Sequence, residues 1–399
     1  MTAHLHTRSP IMPEDLVKVA RSLVPEILSN LDRIDGECQL PAELAGRMAN
    51  HSLFCLYAPR ELGGPELDPL TAFRVVETIS HADGSAGWCV FNGTAITAAV
   101  SRLTPEAVVE LFGDPPDLLG SGSARPEGTA TICDGGYLIN GRWNYLSGID
   151  HSTALFLNCR LLNPDGSPVS NDDGSLATRI AVVPVASGTV IDNWTTLGMR
   201  GTASNDCEYS DFFVPSRHIY TRGDAAHYES PLYHPPQNAI LLSWTLAAGN
   251  ALGMARGALD AFHELATGSG TTNSPALLRD RSYVQITYGE CEAMHDAART
   301  YVLDAVDSLW DAQVKQLPDL SDRAVRARLA ITHAIRRSVD IVDKLFNVAG
   351  TNAIHRSVGL ERFFRDLHVS GQHISGLPNN YEYAGQALLG ADVTASLYT

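Results

Sequence analysis

Three separated segments of this 399-residue chain carry the side chains best suited to chemistry. They are Gly141–His151, Leu197–Asp206, and the stretch that runs from Gly350 to His373. The hydroxyl of Ser147 and the imidazole of His373 are groups that can hold or move protons near neutral pH. The order and spacing of these segments therefore raise the question of proton transfer in a buried site.

Each segment also has a purely structural interpretation. Trp143 fits the interior of a packed strand at least as well as the wall of a ligand site. Arg200 fits a solvated charge in a tight loop, and Arg365 with Asp366 fits an ordinary ion pair on a helix. The chain holds 14 histidines, so most of them must be ordinary surface or core residues. No single segment decides between the two kinds of interpretation.

Several common catalytic motifs are absent from the sequence. Gly120–Ser123 opens no helix, so it is not the fingerprint of a dinucleotide-binding fold. The chain contains neither a G-x-S-x-G elbow nor a Walker A loop. His368 and His373 are five residues apart, whereas a helical zinc site needs a pair four residues apart. We expect no metal site.

Composition is that of a globular protein, with 44% hydrophobic and 19% charged residues. A formal net charge of -16 argues against a nucleic-acid partner, because phosphate binding requires a basic surface. The seven cysteines are scattered and never spaced C-x-x-C, which favours reduced thiols. Met1–Pro13 lacks the apolar core of a signal peptide, and Ala239–Ala255 is too short and polar to span a bilayer. We expect a soluble, cytoplasmic protein.

The elements that must position these segments fall into three regions. Helical spacing and N-cap signals dominate up to residue 117, where Asp68-Pro69 and Thr104-Pro105 mark two helix starts. Short runs rich in β-branched and aromatic residues fill 118–225, and helical spacing returns over 226–399. We predict an N-terminal helical domain, a middle β domain and a C-terminal helical bundle with these boundaries.

Individual elements are predicted from the same patterns. Expected helices are Glu14–Leu31, Ser85–Val100, 239–266, 276–316, 322–349 and Leu360–His368. Expected strands are Thr129–Cys133, Tyr137–Asn140, Ala154–Leu162, Ile180–Val185, Thr189–Thr195 and Cys207–Val214. Asp134-Gly135-Gly136 predicts a hairpin turn, and Asn163–Ser175 predicts a surface loop.

Taken in order, the motifs resemble the acyl-CoA dehydrogenase superfamily over nearly the whole chain. The matching motifs are Tyr57–Gly64, Asp83–Trp88, Trp143–Gly148, Leu197–Gly201, Gly350–Asn352 and Arg365-Asp366. The resemblance implies an α+β acyl-CoA dehydrogenase fold, in which a β-barrel or sandwich domain separates helices from a C-terminal four-helix bundle. It also implies a homotetramer.

Within that superfamily the chain looks closer to the flavin-dependent monooxygenases. A typical dehydrogenase carries its glutamate base nine residues after the arginine of the Arg-Asp pair, and that position is Ile374 here. The adjacent His373 resembles a histidine that the oxygenases carry beside the flavin. The resemblance therefore implies the oxygenase component of a two-component monooxygenase that hydroxylates a phenol- or indole-like substrate.

The resemblance also implies cofactors and roles. Reduced FAD or FMN from a separate NAD(P)H:flavin reductase would react with O2 to give a C4a-hydroperoxide. His373 would relay a proton, and Ser147 would lie beside flavin N5. Further cofactor-binding candidates are Trp143, Gly148, Arg279, Arg281, Gln285, Gly350, Thr351 and Asn352, of which the charged ones are equally compatible with a solvated helix face. The substrate-pocket candidates are Trp88, Phe91 and Asn92.

One departure and three alternatives remain open at this point. Some oxygenases carry a second histidine on the buried N-terminal helix, where this chain has Asn92. An acyl-CoA dehydrogenase with an unusually placed base, an N- or S-oxygenating monooxygenase, and a catalytically degenerate scaffold each fit part of the pattern. Flavin binding and the response to acyl-CoA distinguish them.

Overall fold

The computed structural model describes residues 13–268, 270–271 and 274–393. The prediction that no signal peptide is present concerns residues that, apart from Pro13, lie outside this part of the chain. Within the described ranges, no helix has the length and apolar character needed to cross a membrane. All seven cysteines are free thiols.

Six helices form the N-terminal region. They are α1 (Pro13–Ser29), α2 (Leu31–Glu37), α3 (Ala42–Asn50), α4 (Pro69–Ala82), α5 (Gly84–Thr97) and α6 (Pro105–Phe112). The predicted N-caps are confirmed, because Asp68 accepts hydrogen bonds from the first turn of α4 and Thr104 caps α6 in the same way. The single helix predicted over Glu14–Leu31 is divided at Asn30, which separates α1 from α2.

The middle region is one mixed sheet of seven strands. They are β1 (Gly120–Cys133), β2 (Gly136–Trp143), β3 (Ala154–Leu162), β4 (Thr178–Pro184), β5 (Thr189–Ile191), β6 (Asp206–Pro215) and β7 (Ile219–Tyr220). Their order is β5-β6-β2-β1-β3-β4-β7, and only the β1–β3 pair is parallel. This sheet is the form that the predicted β domain takes.

Two strand predictions need correction. β1 begins at Gly120 instead of Thr129, because its first residues pair with β3 before a register shift between Ser123 and Gly128. β5 ends at Ile191, whereas a strand was expected to continue to Thr195. The side-chain amide oxygen of Asn205 accepts the backbone N–H groups of Asn193 and Trp194, so these donors do not join the sheet.

The C-terminal region contains five described helices and a short hairpin. The helices are α7 (Pro236–Gly268), α8 (Ser282–Lys315), α9 (Leu320–Ala349), α10 (Leu360–Ser370) and α11 (Asn379–Leu388), and the hairpin strands are β8 (Gly270–Thr271) and β9 (Ser274–Leu277). The helix predicted over 276–316 therefore starts late. Leu277 and Arg281 both have extended backbone torsions, which delays the helix to Ser282.

One hydrophobic core connects the two helical regions. α4 and α7 approach closely at glycines: a Cβ on Gly253 would lie 2.4 Å from the Glu77 carbonyl oxygen, and one on Gly257 2.7 Å from the His81 carbonyl oxygen. Backbones this close pack α4 directly on α7, and a single residue separates the end of α4 from the start of α5. The element order fits the predicted domain boundaries, which we retain as a proposal.

Candidate active site

α5 is buried on all faces except one narrow stripe. Its partly exposed residues are Trp88, Asn92, Ala95 and Ile96. This spacing places them on one side of the helix. A helix that is otherwise enclosed by protein thus opens on one face only, and that face carries an indole, an amide and aliphatic groups.

His373 lies against this face of α5. Its ring meets Trp88 edge to face at a centroid distance of 5.2 Å and Phe91 at 5.8 Å, with interplanar angles of 86° and 83°. Trp88 and Phe91 also meet edge to face at 5.0 Å. The three rings form one aromatic cluster, which combines two substrate-pocket candidates with the catalytic candidate.

Local hydrogen bonds set the orientation of the His373 imidazole. Nδ1 lies 2.7 Å from Ser375 Oγ and accepts the backbone N–H of Ser375 at 3.4 Å. Because Nδ1 is the acceptor, the neutral ring carries its proton on Nε2. Burial lowers the pKa of His373 to about 4, so the ring is neutral across the physiological range and presents an Nε2–H donor.

Ser147 belongs to a strap, Asn144–Gly148, that follows β2. Two backbone hydrogen bonds join this strap to the neighbouring loop, from Leu146 N to the Asn205 carbonyl at 3.3 Å and from Gly148 N to the Thr202 carbonyl at 2.8 Å. The indole Nε1–H of Trp88 donates to Ser147 Oγ at 3.2 Å. The structure thus brings Ser147 and the His373 cluster together through one shared residue, Trp88.

The loop that supports the strap, 197–206, is held from the other side by α10. A Cβ on Gly198 would lie 2.4 Å from the Arg365 carbonyl oxygen, so only glycine fits. Asp366 accepts the backbone N–H of Met199, and the Arg365 guanidinium donates to the Leu197 carbonyl at 2.9 Å. The Arg365-Asp366 pair thus positions the loop.

The carboxyl group of Asp366 is buried in this support. Burial, together with repulsion from the nearby Asp83 carboxylate, raises the pKa of Asp366 to about 7. Arg365 also forms ion pairs with Glu361 at 2.6 Å and Asp35 at 3.1 Å, which links α10 to α2. The support of the site therefore comes from three regions of the chain at once.

Trp143, one of the cofactor-binding candidates, lies in the interior of the sheet. Its side chain is 0% exposed, and its indole Nε1–H donates to the Asn158 carbonyl at 2.7 Å inside the sheet. A Cβ on Gly128 would lie 2.1 Å from its ring, so the indole packs directly on the β1 backbone. Trp143 is a core residue of the sheet, as its structural interpretation allowed.

Tyr145 was missed by the sequence interpretation. It lies two residues before Ser147, has a φ of +59° and leaves 56% of its surface exposed. Its ring contacts Trp194 edge to face at 6.0 Å. Regular alternation would place Trp143 and Tyr145, two residues apart, on the same face, and the positive φ of Tyr145 interrupts it. An exposed aromatic on a strained backbone is a common feature of ligand sites.

The remaining cofactor candidates lie in two other places. Arg279 is in a 3-10 turn before α8, Arg281 is the N-cap residue, and only Gln285 is inside the helix. The side chain of Gln285 donates to the Arg279 carbonyl at 2.9 Å. Gly350, Thr351 and Asn352 open the 3-10 turn that follows α9, where Gly350 has a φ of +62°. Their role in cofactor binding remains a prediction.

We expect His151 and His373 to lower the stability of the folded state as the pH decreases from 6.5 to about 4. Burial lowers the pKa of both His151 and His373 from 6.5 to about 4. Between these values each histidine is protonated in the unfolded chain but neutral in the folded chain, so acidification favours unfolding through these two groups, while the raised pKa of Asp366 acts in the opposite direction. Melting temperatures measured across this pH range report the effect. As the pH decreases, they should fall less in His151→Gln than in the original chain. Parallel profiles for the variant and the original chain would contradict it.

Comparison with known proteins identifies the class of fold. Residues 14–110 match the family model of the acyl-CoA dehydrogenase N-terminal domain, and residues 245–376 match that of the C-terminal domain. The chain therefore belongs to the acyl-CoA dehydrogenase family.

Its relatives include two named monooxygenases and a solved structure that contains reduced flavin. Indole-3-acetate monooxygenase of Pseudomonas putida is 27% identical over 91% of this chain and 90% of its own length. The oxygenase subunit of the flavin-dependent monooxygenase HsaA of Mycobacterium tuberculosis is 28% identical over 90% of both chains. XiaF from Streptomyces sp., solved in complex with FADH2 and glycerol, superposes with a TM-score of 0.87 at 26% identity and covers 96% of this chain and 97% of its own.

Proposed function

We propose that this chain is the oxygenase component of a flavin-dependent monooxygenase that uses reduced flavin and O2 to hydroxylate an aromatic substrate. The observation that carries the proposal is the His373 cluster. A neutral imidazole lies against Trp88 and Phe91 and is linked through Trp88 to Ser147. A dehydrogenase of this family would need a base at the position that follows His373. In this chain that position is Ile374, whose side chain packs against the hydrophobic core.

The residues around Ser147 fit a reduced flavin. Tyr145 offers an exposed aromatic face, and Ser147 offers a buried hydroxyl on the same strap. Asn144, between β2 and Tyr145, has a buried side-chain oxygen with no hydrogen-bond partner among the described residues. A reduced isoalloxazine ring carries N–H donors and a flat apolar face, which are the groups that such a strap satisfies. Tyr145 replaces Trp143 in this proposal.

Each residue of the cluster has a distinct task. Reduced flavin, when bound, would supply two electrons to O2, so that one oxygen atom goes to the substrate and the other leaves as water. Trp88 and Phe91 exclude water from the reacting groups, while the neutral His373 imidazole donates a hydrogen bond from Nε2–H to the groups on which negative charge develops. Its low pKa suits this task, because a neutral ring offers the Nε2–H hydrogen bond without placing a positive charge in the aromatic cluster.

Asn92 sets the chemistry of the substrate. Its Oδ1 atom is buried and has no hydrogen-bond partner among the described residues. It lies one turn after Trp88 on the open face of α5. An unpaired buried acceptor favours a ligand that brings a donor, such as a phenol hydroxyl or an indole N–H. The names of the relatives, which include an indole-3-acetate monooxygenase, support an aromatic substrate of this kind.

Replacement of Asn92 with leucine should raise KM for such a substrate about tenfold with little change in kcat, because one buried hydrogen bond is lost. Steady-state kinetics with a phenol or indole measures the effect. The matched control is the O-methyl or N-methyl analogue, which has no donor. We expect this analogue to bind the original chain and the variant equally well. An equal rise in KM for both ligands would show that Asn92 only shapes the pocket.

The proposal is tested with reduced FAD or FMN, supplied chemically so that no reductase is required. The protein with reduced flavin is mixed with 18O2 and a panel of phenols and indoles, and products are analysed by mass spectrometry. We expect a product that contains one 18O atom and less hydrogen peroxide than flavin alone releases. Complete conversion of the electrons to peroxide with every substrate would refute the proposal. Bleaching of bound oxidised FAD by an acyl-CoA would instead favour a dehydrogenase.

The partners form part of the same proposal. We infer a separate NAD(P)H:flavin reductase, a homotetramer and a cytoplasmic location. Free thiols support a reducing compartment. Exposed apolar side chains in the turn after α9 and at the C-terminal end of α11 support contact with further copies, since Ile354, Leu388 and Leu389 are 63%, 65% and 87% exposed. The exposed turn at Gly350 lies beside the first of these.

A further inference from the structure

A chain of buried hydroxyl groups extends from Ser147 into the supporting loop. Ser147 Oγ lies 2.7 Å from Ser204 Oγ, which lies 2.7 Å from Thr202 Oγ1. Thr202 Oγ1 in turn donates to the Met199 carbonyl at 2.9 Å. Ser147, Ser204 and Thr202 are only 6%, 2% and 1% exposed, so bulk water does not compete for these hydrogen bonds.

The groups at the two ends of this hydrogen-bonded series of hydroxyls decide the direction of every hydrogen bond in it. A carbonyl oxygen can only accept, so Thr202 donates its single hydroxyl proton to the Met199 carbonyl. Thr202 Oγ1 must then accept from Ser204, and Ser204 Oγ must accept from Ser147. At the other end, the indole of Trp88 can only donate, and it donates to Ser147 Oγ. Ser147 has therefore used its proton and retains a free lone pair.

We infer that Thr202 and Ser204 are positioning residues that make Ser147 a hydrogen-bond acceptor and so give the site a preference for reduced flavin. This inference rests on the proposed function, in which Ser147 lies beside flavin N5. In reduced flavin N5 carries a hydrogen and is a donor, whereas in oxidised flavin N5 is an acceptor. A serine that presents a lone pair matches the first and is mismatched with the second.

Oxidised flavin is accommodated only when the hydrogen bonds between these hydroxyl groups reverse their direction. Ser147 would donate to N5, Ser204 to Ser147, and Thr202 to Ser204, which leaves the Met199 carbonyl without the Thr202 hydrogen bond. Reduced flavin keeps all of these bonds. The difference is one buried hydrogen bond, which changes an equilibrium by roughly fivefold.

Replacement of Thr202 with valine removes the hydroxyl at nearly constant volume and should weaken this preference. In this variant the remaining acceptor for the Ser204 hydroxyl is Ser147 Oγ. When Ser204 donates to Ser147, the hydroxyl proton of Ser147 becomes free to form a hydrogen bond to N5 of oxidised flavin. We expect the ratio of the dissociation constants, oxidised over reduced FAD, to fall about fivefold. Anaerobic fluorescence titrations of both forms measure it. The midpoint potential of bound FAD should fall by about 20 mV, the equivalent of fivefold for a two-electron couple.

Two further variants and one control separate this effect from a change in structure. Ser204→Ala should shift the ratio in the same direction, and it serves as the decisive variant if Thr202→Val does not fold. Thr202→Ser restores the hydroxyl and should restore the ratio. Thr196→Val removes another hydroxyl of the same loop, one that donates to the Gly198 carbonyl at 2.9 Å, and should leave the ratio unchanged.

The outcomes distinguish the inference from the function on which it rests. A lower ratio in Thr202→Val and Ser204→Ala, with Thr196→Val unaffected, supports the inference. Equal loss of affinity for both flavin forms, or an unchanged ratio, overturns it while the monooxygenase proposal stands. Failure of the original chain to bind reduced FAD or reduced FMN overturns both, because Ser147 would then have no flavin to face.

Discussion

Replacing His373 with alanine should lower the rate of substrate hydroxylation by about 100-fold, the lower end of the range for the loss of one preorganised hydrogen-bond donor at a reacting group. The variant removes the Nε2–H donor and opens space between Trp88 and Phe91, so water reaches the reacting groups. We expect electrons from reduced flavin to be released as hydrogen peroxide in place of hydroxylated product. Product and peroxide, measured together in single turnovers, report both effects.

Ser375→Ala provides the matched control for this prediction. It removes the 2.7 Å partner of Nδ1 but keeps the imidazole, so the ring loses orientation and not its proton-carrying atom. We expect a decrease of about tenfold in hydroxylation, smaller than that of His373→Ala. His373→Ala with unchanged product yield would contradict the assigned role. Melting temperatures of both variants show whether the losses arise from unfolding.

Replacing Trp143 with alanine should destabilise the protein by about 3–5 kcal/mol, as expected for a large side chain removed from a packed core. The indole is fully buried and donates to the Asn158 carbonyl, so the variant leaves both a cavity and an unpaired acceptor. Denaturant unfolding measures the change. The folded fraction should bind reduced flavin with its original affinity, because Trp143 lies in the sheet and not on the open face of the strap.

Tyr145→Ala is the opposite control. The side chain is largely exposed, so its loss should change stability by less than about 0.5 kcal/mol. If Tyr145 contacts the flavin, the affinity for reduced FAD should fall by about tenfold, in line with loss of an aromatic contact. A weakened flavin affinity in folded Trp143→Ala, with none in Tyr145→Ala, would restore Trp143 as the wall of the site.

Local signals in the sequence were sufficient to predict where two helices of the N-terminal region begin. Asp68-Pro69 and Thr104-Pro105 predicted two helix starts correctly, because an N-cap side chain and a proline at the first position act within one turn. The same kind of signal failed where a distant group intervened. β5 ends early because the Asn205 side chain accepts hydrogen bonds from the backbone N–H groups that a longer strand would need. No residue pattern within Thr189–Thr195 predicts this contact.

The reaction class was also accessible from the sequence by itself. His373 beside Ile374, at fixed distances from Arg365, indicated an oxygenase through the resemblance to the flavin-dependent monooxygenases, because the spacing along one short helix and turn preserves the position of the base. The same sequence could not separate Trp143 from Tyr145. Two residues apart on a strand they would share one face, and only the end of β2 at Trp143 and the left-handed backbone at Tyr145 separate the buried ring from the exposed one.

Only the tertiary structure decided how the site is assembled. Trp88, Ser147 and His373 come from three regions of the chain, and their contacts depend on the loop that Asp366 and Arg365 hold in place. The order of the buried hydroxyls from Thr202 to Ser147 likewise has no sequence signature. Hydrogen bonds between distant segments depend on how those segments pack, whereas residue types and local spacing determine only which groups are available to form them.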